Sequence, residues 1–289
     1  ILFSRYSNKV YDGRIELTHA PVLGFVGTFG VQYTEGRFGG LNQNNVHRDR
    51  RPESAYLPIL TRNYGLFLSE HRSFGALDVM LAVRQEWRTN EMIRPSILEL
   101  ITGYSDALEP TPRRIATYTA YYNDLWNTRY PDTEHDPFSA SLGVTWKVGG
   151  GYSVSLSAAR TERAPGVREL FALGNNLATN SYEVGLARTT AAHSSFPAPQ
   201  TDLEEENNAI DLTLRKTGGS VGFEIGLFHQ DITNYVFARL QEDERETGIP
   251  HRYLFYTAAD ATFTGLDGQI SYRLTPASQV AVFGDYVHA

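Results

Sequence analysis

Asp132, Glu134, His135 and Asp136 form the densest local set of imidazole and carboxylate in the sequence. Capture of a metal ion requires such groups to converge in space, and their spacing here matches no closed zinc pattern. Four of the eight histidines, His47, His135, His193 and His251, fall in or beside long polar segments. Two carboxylate runs, Glu204-Glu205-Glu206 and Glu242-Asp243-Glu244 with Glu246, offer a second kind of cation site. A solvated or lipopolysaccharide-bridging surface is the commoner explanation of such runs.

Other chemistries are excluded more firmly. The sequence has no Walker pattern, no Gly-rich dinucleotide fingerprint, no Gly-x-Ser-x-Gly elbow and no His-Glu-x-x-His pair. With no cysteine there is no disulfide framework, no thiolate zinc site and no thiol nucleophile. Neither an enzyme nor a resident cofactor is expected. The net charge is −7, and His47-Arg48-Asp49-Arg50-Arg51 is the one dense basic cluster, so no stripe exists for a nucleic-acid backbone.

The elements that position these residues repeat with period two. Leu77, Val79, Leu81 and Val83 alternate with Asp78, Met80, Ala82 and Arg84. Phe138, Ala140, Leu142, Val144, Trp146 and Val148 alternate with Ser139, Ser141, Gly143, Thr145 and Lys147. Similar alternation runs from Tyr152, from Ile210 and from Val221, and it is the signature of half-buried strands. Stretches 56–71 and 221–237 exceed the length of ordinary globular strands, whereas a tilted bilayer-spanning strand needs about 9–11 residues.

Connections alternate between short and long. Short turns lie at 20–21, 71–75, 148–151, 217–220 and 275–278, and long polar segments at 34–53, 89–137, 161–202 and 238–251. Tight turns on one rim and long loops on the other describe an outer-membrane barrel. Aromatics at strand ends (Tyr33, Tyr56, Trp87, Phe138, Trp146, Tyr152, Tyr235, Phe237, Tyr253 and Phe255) fit interfacial girdles. Stretch 115–123 also reads as a strand, but the up-down parity leaves it inside a long loop, as a hairpin-like extension. The expected fold is therefore all-β, a transmembrane antiparallel β-barrel. Residue 1 already lies in an apparent strand, so the chain is expected to be part of a longer one.

The segment Glu162-Arg163-Ala164-Pro165-Gly166, then Glu169-Leu170-Phe171, Gly174 and Ala178-Thr179, resembles a pattern of TonB-dependent outer-membrane receptors. So do Glu204-Glu205-Glu206-Asn207-Asn208, the strand end at Phe228-His229-Gln230-Asp231-Ile232-Thr233-Asn234-Tyr235-Val236, and Ala259-Asp260-Ala261-Thr262-Phe263-Thr264-Gly265-Leu266-Asp267. His19-Ala20-Pro21 and Gly27-Thr28-Phe29-Gly30 are similar to the zinc-importing subgroup, although that subgroup's Gly-Pro-His is Gly174-Asn175-Asn176 here.

The resemblance implies a 22-stranded barrel, of which about 11–13 strands are expected here, spanning 1–289 as a partial barrel domain. The N-terminal plug, the energy-coupling box and the final strands are expected outside it. It further implies active uptake of a metal ion or metal chelate such as zinc or a siderophore, across the outer membrane of a Gram-negative bacterium. The implied partners are the TonB complex through the plug region, outer-membrane lipid and lipopolysaccharide. Ligand contacts are expected in the long loops, at His47, Asp132, Glu134, His135, Asp136, Asn176, His193 and His251. A passive porin-like channel and a soluble β-sandwich are the competing readings.

Overall fold

The computed structural model describes residues 2–44, 56–94, 111–113, 115–117, 119–120, 123, 130–176, 181–188, 199–243 and 251–289. In chain order the strands are β1 (Leu2–Thr18), β2 (Val26–Asn44), β3 (Tyr56–Phe74), β4 (Leu77–Met92), β5 (Thr133–His135), β6 (Phe138–Gly149), β7 (Tyr152–Arg163), β8 (Leu173–Asn176), β9 (Ser181–Val184), β10 (Glu205–Lys216), β11 (Val221–Asp243), β12 (His251–Thr275) and β13 (Ser278–His288). A short helix, α1 (Val167–Phe171), precedes β8.

The ten long strands form one antiparallel wall in the order β1-β2-β3-β4-β6-β7-β10-β11-β12-β13. Each pairs with its neighbours in sequence, because tight hairpins join them on one rim. Gly75, Gly150, Gly151, Gly218 and Gly219 sit in these turns with positive φ, as hairpin turns require. At Gly151 a side chain would also meet the Thr217 carbonyl at 2.0 Å. The long connections all fall on the opposite rim, as the parity of the sequence predicts. The three short strands lie there too: β5 pairs the upper end of β4, and β9 pairs β8 and, in parallel, the start of β12.

Register explains the alternation. Leu156, Leu212, Leu227 and Leu266 stand directly opposite one another across four strands. All four are exposed, at 44% or more. On the other face of the wall, Thr145 of β6 and Ser155 of β7 share a hydrogen bond at 2.9 Å, and Ser157 donates to Asp211 at 3.3 Å. A row of leucines in water would forfeit about 1.5–3 kcal/mol per side chain, so this continuous apolar face is a surface for lipid. Exposed Tyr64, Trp87 and Phe138 lie toward the long-loop side of the band, and Phe74, Trp146, Tyr152 and Tyr272 toward the turns.

Three expectations change. First, the strands run further than predicted: β2 continues to Asn44 and β11 to Asp243, so segments expected as loops are partly wall. Backbone pairing needs no apolar side chains, and the ladder extends past the lipid band. Second, Phe255, expected in a girdle, is 3% exposed; it sits opposite Val184 where β9 covers β12, beyond the band. Third, stretch 115–123, expected as a strand, is helical at 115–117 and 119–120. Ile115 N donates to Thr111 O at 3.0 Å, and the Thr117 and Thr119 hydroxyls donate back to the Arg113 and Ile115 carbonyls. Thr111-Pro112 is a cap followed by proline at the first helical position, a start signal masked by the β-branched and aromatic residues after it.

Candidate functional site

The apolar cluster buried from solvent is built from other residues than the wall's outer face. Ile59 and Met92 from the upper ends of β3 and β4, Val236 from β11, Tyr130, and Leu170, Phe171, Leu186 and Leu203 from the long loops pack together. The loop after β7 thus folds inward across the barrel mouth. Pro165 ends β7's extension and α1 follows at once. The Glu169 carboxylate accepts the Gly166 N–H at 2.6 Å, which satisfies a free helix-start donor. The same carboxylate binds Arg163 at 2.8 Å, and Arg163 also binds Glu205 at 2.9 Å, tying the loop to β7 and β10.

Two further ion contacts hold the return of this loop. Glu183 is 2% exposed and accepts from Arg168 Nε at 3.1 Å and from Asn176 Nδ2 at 2.7 Å. Arg188, equally buried, donates Nε to the Phe171 carbonyl at 3.1 Å, with its guanidinium over the Tyr130 ring at 3.5 Å. Gly185 is required between them: a Cβ there would lie 2.4 Å from the Leu170 carbonyl oxygen. A bulge in β11 between Ile232 and Tyr235 brings Val236 to the cluster. Asn234 takes the positive φ there, and its side chain donates to the Glu204 carbonyl at 3.1 Å.

The predicted ligand residues separate under this geometry. β5 alternates, so Thr133 and His135 are buried while Asp132, Glu134 and Asp136 are exposed. The sequence cluster therefore splits across two faces, as strand pleating demands. Among the described residues no three His, Asp or Glu side chains gather as a metal site. Burial, reinforced by Arg88, pushes the His135 imidazole below its ordinary value. Asn176 is recruited to Glu183. His251 opens β12 opposite Asp243. His47 and His193 lie outside the described residues. The carboxylate run at Glu204 to Glu206 serves structure: Glu204 accepts the Asp136 N–H, Glu205 binds Arg163, and Glu206 binds Arg160. Burial raises the Glu204 carboxyl.

Sequence reasoning overlooked Arg88, Arg168, Glu183 and Arg188 as members of the mouth. Arg88 carried a usable signal, because it continues the polar alternation of Arg84 and Glu86 toward Asn90 on β4. The other three lie in irregular loop whose contacts no period reveals.

The model of the family "TonB dependent receptor-like, beta-barrel" matches residues 2–288. Among solved structures, the fold is similar to the copper transporter OprC, with TM-score 0.66 and 12% identity over 99% of this chain and 38% of that one. It is similar to the siderophore receptor PirA from Pseudomonas aeruginosa, with TM-score 0.51 and 16% identity over 98% and 50%. It is also similar to the ferric yersiniabactin uptake receptor FyuA from Yersinia pestis, with TM-score 0.54 and 12% identity over 99% and 36%. The chain therefore spans half or less of the length of these proteins. With its lipid-facing wall and sorted loops, the chain belongs to the TonB-dependent receptor-like β-barrel family, found in the Gram-negative outer membrane.

Proposed function

We propose that this chain forms part of the wall and extracellular mouth of a receptor that takes up a scarce metal ion or metal chelate, driven through TonB. The observation that carries this reading is the loop after β7, folded inward and anchored by Arg163, Glu183 and Arg188 inside the mouth of a lipid-facing wall. A passive pore has no need of an ion-paired cover over its lumen. The similarity to a copper transporter and a siderophore receptor supports the same ligand class. His47, His193 and His251, with the exposed Asp132, Glu134 and Asp136 at the mouth, are the first contacts proposed for that ligand.

Coupling would reach this wall through a plug inside the barrel, which fits the polar inner face. Lipopolysaccharide would meet the outer face above the apolar band. There Arg160 pairs with Glu162 and Glu206, and Asp231 accepts from Thr262 at 2.9 Å.

The test is accumulation of radiolabelled iron, copper and zinc, free and chelated, by metal-starved cells carrying the full receptor. Uptake of one form is expected to need both TonB and residues 164–203. Accumulation that continues at the same rate without TonB would defeat the reading and favour a passive channel.

A further inference from the structure

Asn63, Arg88 and His135 stand opposite one another on β3, β4 and β5, where directly paired residues hold their Cβ atoms about 5 Å apart. The adjacent rung on the same face, Thr61, Asn90 and Thr133, is closed by hydrogen bonds of 2.7 and 3.0 Å. The Asn63–Arg88–His135 rung is not closed. Asn63 Oδ1, Arg88 Nε and both ring nitrogens of His135 are buried without a hydrogen-bond partner among the described residues. His135 is 5% exposed. The Leu203 main chain lies near enough to act on its ring, more weakly than burial and the Arg88 charge do.

Among the described residues no carboxylate forms a salt bridge with Arg88. Glu86 and Glu169 act on it only through their charge. Glu86 is taken by Arg84, and Glu169 by Arg163 and the Gly166 amide. Buried donors are almost always satisfied, and a buried guanidinium without a counter-charge is costly. Four unpartnered polar atoms on one rung, beside a rung that is fully bonded, mark a place made for something else.

We propose that this rung is an oxyanion site. A carboxylate- or phosphate-type group is held between Arg88 and the His135 N–H, and Asn63 Oδ1 accepts from a hydroxyl of the same ligand. Arg88 supplies charge and a directed N–H, and a neutral imidazole supplies a second donor without adding repulsion. The site rests on the uptake reading only for the source of the anion, which is a free solute or an acidic group of a transported chelate.

The experiment uses the full receptor, purified in detergent and crystallised with selenate, whose anomalous signal locates it. Binding is measured in parallel by calorimetry. Selenate is expected within hydrogen-bonding distance of Arg88 Nε and His135. Arg88→Gln should weaken it about tenfold or more, the scale of one charge-assisted hydrogen bond. Asn63→Asp, which keeps the shape and adds a negative charge, should abolish it. The Asn63→Asp protein must still migrate as a folded barrel on unheated gels, so its loss of binding reports charge and not misfolding. Competition with ferric citrate separates the sources: displacement of selenate assigns the site to a polycarboxylate chelate, and retention assigns it to a free anion. Absence of selenate from the rung, or unchanged affinity in both variants, overturns the proposal. Because no transport is measured, this failure is distinct from a failure of TonB-dependent accumulation.

Discussion

At the scale of single residues, the mouth depends on a few buried polar contacts. Glu183 is the clearest, since it has almost no exposed surface and holds both Arg168 and Asn176. Breaking a fully buried pair costs about 3–5 kcal/mol, but Arg168 is half in water, which lowers the expected cost of Glu183→Ala to about 1–3 kcal/mol. Trypsin should then cleave after Arg168 in the folded receptor, while the wall stays resistant. Unchanged cleavage would show that the apolar cluster alone holds the loop. His135 makes the mouth sensitive to acid. Its folded value is lowered by burial and by Arg88, so the released state binds the proton more readily. The stability from burying neutral His135 is complete above the ordinary imidazole value of about 6.5 and is lost as pH falls below it. A spin label at Gln200, whose N–H donates to the Leu186 carbonyl, should gain mobility as the pH is lowered below the ordinary imidazole value. His135→Phe should remove that dependence.

At the scale of elements, pleating assigns each residue an environment. Leu212 and Thr213 are neighbours in sequence but face lipid and lumen. Arginine at a lipid-facing position near the bilayer centre costs about 2–4 kcal/mol. On the polar face an added charge usually stays within about 0.5 kcal/mol. Leu212→Arg should therefore destabilise the barrel in urea titrations in vesicles, and Thr213→Arg should leave it nearly unchanged. Equal effects at the two positions would mean that the faces are assigned wrongly. The β11 bulge shows the limit of such reasoning. Asn234 was visible in the motif at the strand end, yet its use, a positive φ that brings Val236 into the mouth, needs the register of β12 to be known.

At the scale of the whole molecule, the wall is not closed: β1 and β13 are its outermost long strands and do not pair with each other. In hydrocarbon each unpaired backbone group costs several kcal/mol, roughly 2–7 for an amide without a partner. Residues 1–289 expressed alone are expected to yield no heat-modifiable monomer when added to lipid vesicles. A compact monomer that resists denaturation on unheated gels would show that this stretch closes on itself.

What the amino-acid sequence determined by itself was local and periodic: strand type, the two faces, the sorting of short turns from long loops, and the membrane setting. These follow from side-chain alternation and turn chemistry, which act over a few residues. The tertiary structure alone decided which polar groups meet. His135 parted from Asp132, Glu134 and Asp136 because a three-residue strand pleats them to opposite sides. It joined Arg88 and Asn63, 47 and 72 residues earlier (135 − 88 and 135 − 63), because strand pairing is set by long-range register, which no local pattern encodes.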